Sequence, residues 1–183
     1  VKYQLSILIP TIPERIEKLK RQLDKIPNEV QVIYLGDNKT ISTGKKRNIL
    51  LGLSEGLYST FIDDDDLISD DFVSEILKAI KENDVDVICY EVGITFNGET
   101  YRTVLYSKDY INQNKGSLYL RRPNHLMVWR TEKAKEVPFL DVTVGEDTIW
   151  ANQMVRRIDT QYIINKRLYK YYAIEGRHNG SNS

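Results

Sequence analysis

The chain opens on a short apolar run, residues 5–9, in which Leu5, Ile7, Leu8 and Ile9 are interrupted only by Ser6. A run of that length followed by Pro10 reads as a buried strand ended by the proline. Thr11 and Glu14 then stand three apart, as a capping box requires, with Pro13 suited to a first helical turn. Ile16, Leu19, Leu23 and Ile26 recur at helical spacing with Lys and Arg between them, which predicts an amphipathic helix stopped by Pro27-Asn28. Residues 30–35 form a second apolar run, closed by Gly36-Asp37-Asn38. Strand, helix, strand is a βαβ unit, and it implies a parallel pair joined by a right-handed crossover.

The same rhythm continues. Ser42 or Thr43 can cap a helix over about 45–54, with Ile49, Leu50 and Leu53 on one side and Gly56 after its end. Residues 58–62 read as a third strand that runs into Asp63-Asp64-Asp65-Asp66. Ser69 can cap a helix with Phe72, Ile76, Leu77 and Ile80 on its apolar face, and residues 86–92 form a fourth strand. After that the pattern changes. Asn97-Gly98 carries a hairpin signal, residues 107–116 are polar and read as loop, and residues 126–129 form a strand. Gly145-Glu146-Asp147 opens a helix to about Arg157, 162–164 is a short strand, and residues 169–174 extend or flank it. The expectation is one α/β domain over 1–183. Its first part, about 1–92, has a parallel sheet, and about 93–183 makes a small antiparallel addition.

Composition narrows the classes. The 183 residues balance 26 Lys+Arg against 26 Asp+Glu, so a strongly basic nucleic-acid binder is excluded. One Cys rules out an internal disulfide framework and a cysteine zinc cluster, and fits a reducing, cytoplasmic setting. No stretch approaches the ~20 apolar residues of a membrane span.

The acidic run is the strongest chemical feature. It follows a parallel strand, on the edge of an open α/β sheet where ligands bind. Four adjacent carboxylates repel one another, and a hard cation such as Mg²⁺ or Mn²⁺ would offset that repulsion. Asp37 ends the second strand on the same edge; it suits a nucleoside contact, but taken alone it reads as a turn residue. Lys45, Lys46 and Arg47 follow Gly44 at a helix start, where anions bind, although at least one of them should face water. Glu146 and Asp147 suit a helix start on dipole grounds alone; the catalytic reading is a general base, Asp147, with Glu146 as an acceptor contact. His178, in a polar tail, could join a metal, and His125 reads as a cleft-edge residue. Tyr106 and Tyr110 fall in or beside the polar stretch and are candidates for an acceptor wall, whereas Trp129 reads as core and Trp150, beside Asp147 in sequence, suits either a sugar face or the core.

The ordered set resembles family 2 glycosyltransferases of the GT-A fold. The matching segments are Ser6-Ile7-Leu8-Ile9-Pro10-Thr11, Gly36-Asp37-Asn38, Gly44-Lys45-Lys46-Arg47-Asn48, Asp63-Asp64-Asp65-Asp66, Met127-Val128-Trp129-Arg130 and Gly145-Glu146-Asp147. The resemblance implies a GT-A-type α/β/α sandwich with a mostly parallel sheet. It also implies metal-dependent transfer from a nucleotide-diphospho-sugar, of which UDP-sugars are the commonest, to an acceptor hydroxyl with inversion. On that basis Asp65 and Asp63 are expected at the metal, with the register against Asp66 left open, and Asp64 at the ribose or metal. Asp37 falls at the base, Pro10 and Thr11 beside the nucleotide, Lys45 or Arg47 at the diphosphate, and Asp147 as the catalytic base beside Glu146. After Asp37 the sequence runs Asn38-Lys39-Thr40, without the second carboxylate the family usually has there. A sugar-nucleotide nucleotidyltransferase shares the topology, but would carry a Gly-rich loop where Pro10-Thr11-Ile12-Pro13 stands. A non-catalytic nucleotide-sugar or metal-binding module is the third reading.

Overall fold

The computed structural model describes residues 1–96 and 99–172. Strand β1 (Tyr3–Thr11) is followed by a 3₁₀ turn (Pro13–Arg15), α1 (Ile16–Leu23), β2 (Gln31–Gly36), α2 (Thr43–Leu53), β3 (Gly56–Phe61) and β4 (Leu67–Ile68). Then come α3 (Phe72–Glu82), β5 (Val87–Phe96), β6 (Glu99–Tyr106), β7 (Gln113–Lys115), β8 (Leu118–Arg121) and β9 (Val128–Arg130). Helices α4 (Thr131–Ala134) and α5 (Glu146–Met154) and strand β10 (Gln161–Tyr172) complete the chain.

All the strands join one mixed sheet in the order β2-β1-β3-β9-β5-β6-β8-β7, with β10 beside β5 and β4 beside β10. Strand β1 is parallel to β2 and β3, and β10 is parallel to β5. Strands β9 and β6 run antiparallel to β5. From Leu5 onward every residue of β1 is buried, as expected of a central strand covered on both faces. One face holds Ser59, which shares its hydroxyl contacts with Ser54 at the end of α2 and Thr131 of α4. Trp129 belongs to this side too: its ring lies edge-on to Trp150 of α5 at 5.0 Å, and Phe139 stacks on Trp150 at 4.7 Å. Both tryptophans are therefore core, as the sequence suggests for Trp129. The opposite face packs Tyr90 against Phe72 of α3 at 5.6 Å.

Several boundaries depart from the sequence pattern. Pro10 does not end β1; it pairs with Leu35, beyond the last β1–β3 pair at Leu8 and Phe61, so only one neighbour needs ladder bonds there. No capping box forms, because Thr11 is still strand and its hydroxyl turns to Asp64. Ser42, not Thr43, caps α2, accepting from the Lys45 amide at 3.0 Å. The inward face of α2 carries Leu50 and Leu51, while Ile49 and Leu53 are exposed. Ser69 does not cap α3, whose cap position is Asp71; its hydroxyl donates to that carboxylate at 2.7 Å. The polar stretch 107–116 contains β7, paired with β8. Residues 162–164 and 169–172 belong to one strand, β10, with register shifts between Ile164 and Tyr169. Asn97-Gly98 lies outside the described residues, and β5 and β6 pair on either side of it from Phe96 and Glu99.

Candidate active site

The carboxyl ends of β1 and β3 open onto a cleft of about 1320 Å³, lined by residues from both halves of the chain. That is more room than a single small ligand needs. The four aspartates after β3 do not share one environment. Asp63 accepts from Arg47 Nη2 at 2.9 Å, and its second oxygen lies 3.4 Å from His125 Nε2. Burial would raise its pKa, but the charges of Arg47 and His125 hold it well below the ordinary carboxylate range. Asp64 is buried and accepts from the Thr11 hydroxyl at 2.7 Å and Arg15 Nη1 at 2.8 Å. Arg15 is a fork, since its Nη2 reaches Asp65 at 3.0 Å. Desolvation raises the pKa of Asp65 against the pull of Arg15, with Asp64 and Asp63 adding repulsion. Asp66 turns away from the cleft and accepts from the Tyr169 hydroxyl at 2.8 Å and the Tyr172 amide at 2.9 Å. Burial, reinforced by the charge of Asp63, pushes Asp66 up to about 8.

Helix α2 holds the segment that leads to Asp147. A Cβ on Gly44 would stand 1.8 Å from the Leu140 carbonyl oxygen, so only glycine permits this approach. The Gly44 amide donates to the Val142 carbonyl at 3.0 Å. Asn48 exchanges two hydrogen bonds with the Phe139 backbone, each 2.8 Å. Arg47 Nε reaches Glu146 at 3.3 Å, so one buried guanidinium joins Glu146 to Asp63. Its remaining nitrogen, Nη1, is buried with no hydrogen-bond partner among the described residues. The Arg47 group also lies 5.0 Å from the centre of the Phe61 ring.

Of the basic triplet, Lys45 is exposed and stands outside the cleft lining, while Lys46 and Arg47 are buried and line it. Helical spacing explains this, because Lys46 and Arg47 lie one turn before Leu50 and Leu51 on the inward face. The Lys46 ammonium donates to the Thr11 carbonyl at 2.9 Å and pairs with Asp37. Asp37 is thus a turn residue held to a lysine; its other oxygen accepts from the Thr40 and Ile41 amides, and it does not line the cleft. Lys46 and these turn donors hold its pKa well below the ordinary range.

Asp147 lies at the cleft on the first turn of α5, which Gly145 enters at φ 85° in the left-handed region that favours glycine. One oxygen accepts from the Thr148 amide at 2.7 Å, and the other lies 3.5 Å from His125 Nδ1. The buried His125 ring therefore stands between Asp63 and Asp147. Glu146 is buried on Arg47 instead. Pro10 and Thr11 line the same cleft.

The acceptor-wall expectation needs correction in part. Tyr106 is not a loop residue; it ends β6 and is buried, yet it lines the cleft, and its hydroxyl accepts from Asn124 at 3.4 Å. Tyr110 does not line the cleft, and its carbonyl accepts from Arg122 Nε at 3.2 Å. Tyr101 and Tyr119 line the cleft as well, with Arg102, Arg121 and Arg122. His178 lies outside the described residues. Sequence reading missed Arg15 and these arginines, and underused His125 and Lys46. For Lys46 the helical period was a usable signal; for Arg15 none was, since its carboxylates lie 49 and more positions away.

Among the described residues no three His, Cys, Asp or Glu side chains gather into a metal-holding group. Asp64 and Asp66 have both oxygens engaged by protein donors. Asp65, with its raised pKa at an acidic cleft edge, is the carboxylate whose charge a hard cation would relieve. This donor set fits a cation that takes most of its oxygens from a bound diphosphate, and does not fit an all-protein cage.

The family profile of Glycosyl transferase family 2 matches residues 13–134. This chain belongs to that family. Comparison with curated protein sequences finds no match. Among solved structures, S. aureus TarS 1–349 in complex with UDP-GlcNAc superposes with a TM-score of 0.71 at 17% identity, covering 98% of this chain and 61% of that one. The same protein in complex with UDP gives 0.68 at 17% identity, over 93% of this chain and 60% of that one. A TarS structure of greater length gives 0.67 at 16% identity, over 93% and 37%. This family 2 chain thus spans about three-fifths of TarS 1–349, and at such identities the likeness establishes the fold, a GT-A-type α/β arrangement with a mostly parallel mixed sheet. No helix among the described residues is long and apolar enough to cross a membrane.

Proposed function

We propose that this family 2 chain transfers a sugar from a nucleotide-diphospho-sugar, a UDP-sugar, to an acceptor hydroxyl with inversion. The observation that carries the reading is the placement of Asp147, half-exposed, in one cleft with the acidic run at the end of β3. The UDP-GlcNAc and UDP complexes of the structural neighbour support the choice of donor. Thr11, Lys46 and the Arg15–Asp64 pair form the floor on which the nucleotide lies, and Asp37 acts by holding Lys46. The unpartnered Arg47 Nη1 supplies a buried donor for a diphosphate oxygen, whose pairing would remove an unfavourable orphan.

Asp147 takes the proton from the acceptor hydroxyl. The acceptor oxygen then bonds to the anomeric carbon as the bond from that carbon to the diphosphate oxygen breaks, and the nucleoside diphosphate leaves with the electron pair. His125 and the hydrogen bond from Thr148 keep the Asp147 carboxylate aimed. A bound Mn²⁺ or Mg²⁺ would supply Lewis-acid charge to the leaving group. Asp65 would hold it together with the diphosphate, with Asp63 beside it.

The test is release of UDP from UDP-GlcNAc with Mn²⁺, measured together with UDP binding. Asp147→Asn should keep UDP affinity and lower turnover by about 10²–10⁴-fold, the usual worth of a general base. Asp65→Ala should abolish the Mn²⁺-dependent part of UDP binding in a folded protein. Wild-type turnover in Asp147→Asn would remove the base assignment, and unchanged Mn²⁺ dependence in Asp65→Ala would remove the metal assignment.

A further inference from the structure

We infer that the wall of the cleft built by β6, β8 and Arg122 binds an acceptor that is itself negatively charged, an oligosaccharide carrying phosphate or carboxylate groups. The inference deepens the proposed glycosyl transfer and rests on it for the word acceptor. Arg102 on β6, Arg121 at the end of β8 and the adjacent Arg122 all line the cleft that contains Asp147. Among the described residues none of the three forms an ion pair, whereas Arg15 and Arg47 on the opposite wall each pair with two carboxylates.

Their guanidinium groups are held in place by other means. Arg102 lies 4.8 Å from the Tyr119 ring centre and 5.2 Å from that of Tyr101. Arg121 lies 4.8 Å from Tyr119, and its Nη1 donates to the carbonyls of Gln113 and Leu120 at 2.9 and 2.8 Å. Arg122 is fixed through Nε on the Tyr110 carbonyl. Arg121 Nη2 also donates to Asn114 Oδ1, so the edge of Arg121 is engaged by neutral groups. Stacking occupies the faces of the Arg102 guanidinium and leaves its edge for in-plane hydrogen bonds, the geometry that phosphate and carboxylate accept, and Arg122 keeps its terminal nitrogens for the same use. Three neighbouring cations in one cleft wall give it a positive potential that favours an anionic ligand. The chain as a whole is neutral, so this wall is not a sample of general basicity.

Position argues that the ligand is the acceptor. Strands β9 and β6 follow one another along one edge of β5, at Val87–Ile88 and at Val92–Phe96, with β10 along the other edge. Arg122 stands three residues before His125, whose Nδ1 lies 3.5 Å from Asp147. The residues assigned to the leaving diphosphate belong to other elements, Arg47 to α2 and Asp63 and Asp65 to the turn after β3. Tyr101, exposed beside Arg102, offers ring surface for a sugar face.

The experiment is calorimetry on the donor-free protein with three oligosaccharides of equal length: neutral, uronate-bearing and phosphodiester-linked. At least one anionic chain should bind about tenfold tighter than the neutral one, and added salt should weaken it. Which anionic chain binds tighter identifies the anion. Arg102→Gln/Arg122→Gln should weaken anionic binding by about tenfold or more while UDP affinity stays within about twofold. Arg157→Gln, on an exposed residue outside the cleft, should change neither. Should the double variant lose its fold, the salt dependence and the neutral-against-anionic ratio of the wild type decide. Equal binding of all three chains, absence of anionic binding, or a parallel loss of UDP affinity in a folded variant overturns the inference. Anionic binding without any UDP release from UDP-GlcNAc would instead overturn the proposed transfer and leave a polyanion-binding cleft.

Discussion

The two walls of the cleft solve the problem of charge in opposite ways. On the β3 side Asp63 and Asp64 each meet two protein partners, and buried Arg47 joins Asp63 to Glu146. On the β6–β8 side the arginines stack on tyrosines and touch backbone carbonyls, with no carboxylate in ion-pair reach among the described residues. The first wall is internally matched, so its charges contribute to holding the fold. The second is matched only through neutral groups, so its charges remain available to a ligand. A cluster of like charges in a sequence therefore reveals little until its partners are known.

If the acid wall is structural as well as functional, removing its central cation should do the most damage. Arg47→Met leaves Asp63 and Glu146 buried without their shared partner and should cost about 3–5 kcal/mol in urea unfolding. A loss below about 1 kcal/mol would mean that the two carboxylates relax to water and that the wall is not matched in the sense argued. Next in size is Gly44→Ala. Its Cβ meets backbone, not a flexible side-chain tip, so α2 or the 139–142 segment must move, at about 1–3 kcal/mol. Turnover should fall further than stability, because that segment leads to Asp147.

The third test concerns pH. The Asp66 carboxyl, pushed up to about 8, keeps in the folded state a proton that the unfolded chain releases near pH ~3.9. Its contribution is thus fully present below about pH 4 and is lost as pH rises through about 8. Asp63, held low, contributes in the opposite sense: its stabilisation is present above about pH 4 and lost on acidification. Asp66→Asn should remove the alkaline decline, at most about 1.4 kcal/mol per pH unit, and leave the acid limb unchanged. Urea melts at about pH 5 and about pH 9 decide this; an unchanged alkaline slope in the variant refutes the protonated Asp66. The smallest effect belongs to the other wall. Arg102→Gln should change stability by less than about 1 kcal/mol, the worth of a partly exposed cation–π contact. A larger loss would show that this arginine, too, is there to hold the fold.

Much of this was legible in the order of residues. The alternation of apolar runs and helical periods placed an acidic run at the end of a parallel strand and Gly145-Glu146-Asp147 at a helix start. Those features depend on neighbours in sequence. The period of α2, read back from Leu50 and Leu51, would also have turned Lys46 and Arg47 inward and Lys45 out. The acceptor side was read less well. Tyr106 and Tyr110 were chosen because loops carry function, but Tyr106 reaches the cleft from the end of a strand, Tyr110 does not line it, and Tyr101 on β6 and Tyr119 on β8 line it too.

The sequence by itself determined that this is an α/β domain with an acidic strand end and an acidic helix start. Local spacing is enough to fix strands, helices and the residues at their ends. It could not decide which of four consecutive aspartates faces the cleft. In a turn after a strand, successive side chains diverge, and each settles where a donor waits. Those donors are Arg47, 16 positions from Asp63, Arg15, 49 from Asp64, and Tyr169, 103 from Asp66. Only the packed sheet brings them to the end of β3, and so only the tertiary structure assigns each carboxylate its charge and its task.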